Sequence, residues 1–198
     1  MDTMGRGKTV TPASQRYYHY EVWTLDSSCG ELQILTGVAG LAAKTGHRLT
    51  ILVRSWQATV DWSGDQPTRV DLTVAVDSIE VVKGEGGISP LAGPEKGIAR
   101  SNALKSLDAK KFPQIKFSAD DIVKTADGYR LAGTVEIHGE SRPKTVDVTV
   151  VDRGDEWAMS VQTPVIQTEF GVKPYSLMLG AVRVTDEVMV NFSASRPK

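Results

Sequence analysis

Three histidines, one cysteine and a scatter of serines are the side chains of this 198-residue chain best suited to covalent chemistry. His19, His47 and His138 are isolated, and no His-x-x-x-His or Cys-x-x-Cys spacing places two metal ligands on one face. Cys29 stands alone, so it closes no internal disulfide and builds no zinc site; it reads as a small, half-buried hydrophobe. Ser27, Ser28 and Ser106 have neither a Gly-x-Ser-x-Gly elbow nor a base at recognisable spacing. Asp120-Asp121 are consecutive in a strand-like run, which predicts side chains on opposite faces rather than a working carboxylate pair. Asp186-Glu187 reads as a turn, and Gly84-Glu85-Gly86-Gly87 lacks the Gly-Lys-Ser/Thr end of a phosphate loop. His138, just before Gly139, reads as a turn residue. Tyr17-Tyr18-His19-Tyr20 has the composition to stack on a ring, but fits better at the start of a strand or on a barrel end. This inventory supports no metal site, no cofactor and no catalytic constellation, so the expectation is a binding protein rather than an enzyme.

The totals are those of a soluble globular domain. Apolar residues make up 40% and charged residues 24%, with a formal net charge of −1. A nucleic-acid surface would show as a basic excess, which is absent here. Two basic residues near the N-terminus are followed by no apolar stretch, and no run approaches the ~18 apolar residues of a membrane span. The expectation is a cytoplasmic protein without a transmembrane segment. Residues 1–16 read as a polar tail and 17–198 as one domain.

Strand patterns dominate that domain. Val70, Leu72, Val74 and Val76 alternate with polar residues, as do Tyr129, Leu131, Val135 and Ile137; Val146, Val148 and Val150; Trp157, Met159 and Val161; and Val188, Val190 and Phe192. Arg153-Gly154-Asp155 predicts a hairpin. Between His47 and Trp62 the apolar set changes parity near Arg54–Ser55, from Leu49, Ile51 and Val53 to Trp56, Ala58, Val60 and Trp62. A one-residue slip turns every later side chain to the other face, so a bulge is predicted there. A helix is predicted at about 97–108, a second short one over Val38–Lys44, and a long Gly/Pro loop from Gly84 to Gly97. Seven or eight alternating strands predict an all-β sandwich or barrel; periodicity leaves the two open.

The order of several motifs resembles the YceI-like family. Ala75-Val76-Asp77-Ser78-Ile79, then Arg100-Ser101-Asn102-Ala103-Leu104-Lys105-Ser106 with Lys111-Phe112-Pro113-Gln114-Ile115-Lys116-Phe117, carry part of it. Gly133-Thr134-Val135-Glu136-Ile137-His138-Gly139-Glu140-Ser141-Arg142-Pro143 and Phe170-Gly171-Val172 carry the rest, with Trp23-Thr24-Leu25-Asp26 upstream. The resemblance spans about 23–195. It implies an eight-stranded antiparallel lipocalin-like barrel with a short helix at one end. It also implies a long isoprenoid or similar amphipathic lipid held in the lumen, and homodimers. Three features depart from the family pattern. The connection from Lys105-Ser106 to Pro113 is short, Gln167 takes a usually basic position, and residues 37–47 form an unusual Gly/Ala-rich segment. The first and third fall where the barrel mouth would be.

Alternation then names the lumen candidates: Leu49, Ile51, Ala58, Val70, Leu72, Val74, Ile115, Phe117, Leu131, Val135, Val148, Met159, Val182, Val190 and Phe192. Small Ala58, Ala119, Gly133 and Ala181 are expected to leave room among the valines. Roughly ten methylenes at about 0.8 kcal/mol each would give roughly 8 kcal/mol before ordering costs, enough without a polar hot spot. Arg100, Lys105 and Arg183 are the headgroup candidates. The competing expectations are an enzyme acting on a lipid or quinone-like substrate through histidine or tyrosine, and a solid-barrel dimeric stress-response protein.

Overall fold

The computed structural model describes residues 20–198. The expected tail and Tyr17, Tyr18 and His19 lie outside the described residues. The chain runs β1 (Tyr20–Asp26), β2 (Gly30–Ala39), β3 (His47–Val53), β4 (Trp56–Ser63), β5 (Gln66–Ala75) and β6 (Ile79–Gly86). Then come α1 (Gly93–Ser106), β7 (Gln114–Lys124), β8 (Gly128–Ile137), β9 (Glu140–Asp152) and β10 (Glu156–Ile166), with β11 (Ser176–Leu177) and β12 (Val182–Pro197) last. Hydrogen bonding orders them β1-β4-β5-β7-β8-β9-β10-β12-β2-β3-β6, with β11 paired to β12. Every pairing is antiparallel. Because β2 bonds to both β12 and β3, and β3 leads within two residues into β4, the sheet curls back on itself.

Eleven strands lie along this path, not eight. The extra count comes from three neighbouring runs that each break: at Ser27–Cys29, at Arg54–Ser55 and at the 3-10 turn Val76–Ser78. The apolar parity flips at all three, from Leu25 to Leu32, from Val53 to Ala58, and from Val74 to Ile79. The break at Arg54–Ser55 falls where the sequence predicts a bulge. Two of the breaks are sewn together. Arg54 N–H donates to Ser78 O at 3.1 Å, Ala75 N–H to Ser55 O at 3.0 Å, and Ser55 N–H to Ser78 Oγ at 3.0 Å. Broken ladders of this kind let a sheet bend more sharply than a regular one.

Four expectations are corrected. The helix begins at Gly93 rather than 97, because Pro94 suits a first turn and the Glu95 carboxylate accepts the Ala92 N–H at 2.7 Å. Val38–Lys44 is not helical: β2 continues to Ala39, Gly40 turns with φ +106°, and only Ala43–Thr45 makes a 3-10 turn. Pairing of Ala39 with Arg183 captures that stretch for the sheet. The predicted Gly/Pro loop is also shorter, since pairing of Gly84, Glu85 and Gly86 with β3 extends β6. A bulge between Ala119 and Asp121 leaves both Asp120 and Asp121 exposed, instead of on opposite faces.

Two departures from regularity matter for the interior. β9 and β10 pair only from Trp157↔Asp152 to Ser160↔Thr149, and further along Lys144 Nζ donates to Pro164 O across the gap between them. At the same end of the sheet, Met178 (φ +50°), Leu179 (φ +56°) and Gly180 (φ +92°) form a left-handed corner before β12. Left-handed backbone at a non-glycine residue costs roughly 1–2 kcal/mol.

Candidate functional site

The inner face of the curled sheet encloses a cavity of about 940 Å³. Alternate side chains of the strands line it, as pleating requires. Every predicted lumen residue is among them: Leu49, Ile51, Ala58, Val70, Leu72, Val74, Ile115, Phe117, Leu131, Val135, Val148, Met159, Val182, Val190 and Phe192. The room does not come from the other small residues. Ala119 and Gly133 pack on each other, so that a Cβ on Gly133 would stand 2.7 Å from that of Ala119. Ala181 lines an adjoining cleft with Leu41 and Leu179.

One end of the cavity is aromatic. Trp23 and Trp62 lie 4.4 Å apart between ring centroids, and Tyr129 meets Trp62 edge-on at 6.3 Å. The Arg196 guanidinium covers Trp23 at 4.2 Å and pairs with Glu21 at 2.8 Å, bridging β12 to β1. Burial pushes the Tyr129 hydroxyl pKa up, so the phenol stays neutral. The Trp62 indole N–H is buried without a hydrogen-bond partner among the described residues. The opposite end is built by α1 and the rim of the sheet, where Asn102, Ser106, His47, Gln167 and Arg183 add polar atoms to the lining. Gln167 Nε2 donates to Thr185 O at 2.8 Å, and Thr36 Oγ1 accepts the Leu49 N–H at 3.0 Å, so each of these groups has one partner within the protein.

Of the headgroup candidates, Arg183 lines the cavity. Arg100 is occupied elsewhere: its Nε donates to Ile79 O at 2.6 Å and its terminal nitrogen to Asp77 O at 2.5 Å, fastening α1 to the start of β6. Lys105 is not in the cavity wall. Sequence reasoning missed Trp23, Leu25, Leu32 and Ile34, although their alternation, with its parity change at Ser27–Cys29, is a readable signal. It also missed the inner side of α1, whose apolar residues show too little periodicity to betray a face.

The side chains suited to covalent chemistry have structural partners. His47 Nε2 lies 2.8 Å from Ser89 O, and the His138 ring packs on Phe112 at 4.5 Å. Cys29 is a half-buried free thiol in the β1–β2 turn, its Sγ 3.3 Å from Asp26 O. His138 (φ +54°) and Gly139 (φ +79°) make the tight β8–β9 turn, and a Cβ on Gly139 would sit 2.5 Å from Phe112. Gly171 lies beside the His138 ring, and Phe170, Val172 and Ile137 form one buried cluster. Three sequence motifs thus meet at one corner and brace it. Among the described residues no group of three His, Cys, Asp or Glu side chains is placed to hold a metal ion. No helix among them is long and apolar enough to cross a membrane.

A family model described as "YceI-like domain" matches residues 23–195. The UPF0312 protein YE1254 of Yersinia enterocolitica is 27% identical over 84 residues, covering 42% of this chain and 43% of that protein, so the match spans under half of each. The crystal structure of Burkholderia cenocepacia BcnA superposes with a TM-score of 0.65 at 18% identity, covering 86% of this chain and 98% of that one. A mutant CJ YCEI protein with a monobromobimane guest gives 0.56 at 14% identity over 75% and 84%. At such identities the two structures speak for the fold.

Proposed function

The chain belongs to the YceI-like domain family, and we propose that it binds, sequesters or carries a long-chain isoprenoid or similar amphipathic lipid inside its curled sheet, without covalent chemistry. The observation that carries this reading is the cavity of about 940 Å³ walled by valine, leucine, isoleucine and aromatic side chains. That volume is near the upper end of the range for small-molecule sites. A solid barrel would have closed it, since apolar interiors normally pack to crystal density. Counting each broken run (β1–β2, β3–β4 and β5–β6) as one strand brings the eleven to eight, which supports reading the curled sheet as the lipocalin-like barrel that the family resemblance implies. In this reading the chain tail reaches toward Trp23, Trp62 and Tyr129, and a polar head stays near Arg183. The same reading takes the protein as cytoplasmic and homodimeric.

Mass spectrometry of an organic extract of the purified protein tests the proposal, together with uptake of a fluorescent prenyl or acyl chain. A chain lipid in the extract, or saturable uptake at one site per protomer, is the expected result. No lipid in any preparation and no uptake would refute it.

A further inference from the structure

The rim of the cavity carries apolar side chains that the fold leaves in water. Leu41 and Leu179 are fully exposed, Met178 is 75% exposed, and Ile88 across the rim is 85% exposed. Leu41, Met178, Leu179 and Arg183 line one small cleft, and Met178 and Arg183 also belong to the wall of the main cavity. The exposed tip is therefore continuous with the cavity mouth. It is also held in place: Ala42 N–H donates to Ala181 O at 2.8 Å, and the left-handed corner at Met178 and Leu179 aims two large apolar side chains outward. Strained backbone persists where its surroundings impose it, commonly at functional surfaces.

The two segments that form the tip carry positive charges only. From Gly37 to Arg48 and from Phe170 to Thr185 the lysines and arginines are Lys44, Arg48, Lys173 and Arg183, and neither segment contains an aspartate or glutamate; of these, Arg48 faces Glu85 on β6. Lys44, Lys173 and Arg183 are exposed and form no ion pair among the described residues. Glu169 and Asp186 flank the second segment, and Asp186 accepts from the Thr168 N–H and hydroxyl. An apolar tip in a basic collar matches the interface of an anionic bilayer, where apolar side chains enter the acyl boundary and cations meet lipid phosphates.

We propose that the tip formed by Leu41, Met178 and Leu179, collared by Lys44, Lys173 and Arg183, docks the cavity mouth onto an anionic lipid bilayer. The Gly/Ala-rich segment 37–47, which departs from the family pattern, supplies Leu41 and Lys44 to this surface. Docking needs no lipid in the lumen, so it stands apart from the carrier reading, although the two together describe transfer between membrane and cavity without passage through water.

Flotation of the full chain with vesicles tests it, using pure phosphatidylcholine and phosphatidylcholine with about a third phosphatidylglycerol. Binding is expected to the mixed vesicles and to weaken as salt rises from about 0.1 M to 0.5 M, where screening shortens to a few ångströms. The double variant Leu41→Ser/Leu179→Ser and the double variant Lys44→Glu/Lys173→Glu should each lower vesicle binding at least fivefold. Both should keep the parent melting temperature, because all four side chains are exposed. Wild-type protein that ignores the mixed vesicles, or variants that bind as well as it does, overturns the proposal. A concentration-dependent dimer abolished by Leu41→Ser/Leu179→Ser, with no vesicle binding, overturns it in favour of a second copy on the tip. Vesicle binding without any uptake of a chain probe would sustain docking and defeat the carrier reading.

Discussion

At the scale of single residues, the side chains that resemble catalytic equipment are absorbed by architecture. His138 and Gly139 occupy the left-handed positions of a tight turn, and Phe112 packs against both. Gly139→Ala would strain the backbone and drive a methyl group into Phe112. It should destabilise the protein by about 1–3 kcal/mol, read as a lower urea midpoint with an unchanged slope. The opposite behaviour is expected on the cavity wall. At Ala58 the side chain borders empty space, so Ala58→Phe fills volume instead of overpacking a solid core. Uptake of a fluorescent chain lipid should fall at least tenfold while the urea midpoint holds or rises. Unchanged uptake in that variant would place the ligand elsewhere.

At the scale of elements, three breaks in adjacent strands make the sheet curl, and α1 closes the edge they leave. The helix buries no residue completely; Ala99, Ala103 and Leu104 pack half-buried on the core, and side chains reaching backbone carbonyls fasten it further: Arg100 to Ile79 and Asp77, and Lys96 to Val82 at 2.8 Å. Arg100→Met removes two charge-assisted hydrogen bonds from a half-buried site, at a cost of about 1–2 kcal/mol after allowing for partial exposure. Hydrogen exchange should then show faster exchange in the amides of α1 than in those of β8, whose bonding is untouched. Equal protection throughout would mean that apolar contacts alone secure the helix. The β9–β10 ladder is the other weak element. Its short run of pairs predicts that amides on the facing edges of residues 140–148 and 161–166 exchange early.

At the scale of the whole molecule, exposed carboxylates set the response to acid. The Arg69 guanidinium holds the Asp71 carboxyl below its ordinary range, Arg130 does so for Asp147, and Lys198 for Asp152. A lowered folded-state pKa adds stability that is complete above the ordinary carboxylate value and disappears as pH falls through the lowered one. The melting temperature should therefore stay level from about pH 7 to pH 5 and decline below about pH 4. Arg130→Met should make that decline shallower, and added salt should do the same, since the pairs are exposed.

The strand content, the inward face of most strands and hence many of the residues that line the cavity are legible because pleating forces a period of two, and a hollow sheet needs one apolar face to be read. The parity change at Arg54–Ser55 announced its break for the same reason. Other features depended on partners distant in sequence. Gly84–Gly86 and Val38–Ala39 have loop or helix composition, yet the ladder opposite them makes them strand. Arg100 reads as a ligand contact until the carbonyls of Ile79 and Asp77 come within its reach. Local alternation records which way a side chain points; whether the space it points into is filled, and by what, is settled only when all the strands have closed around it.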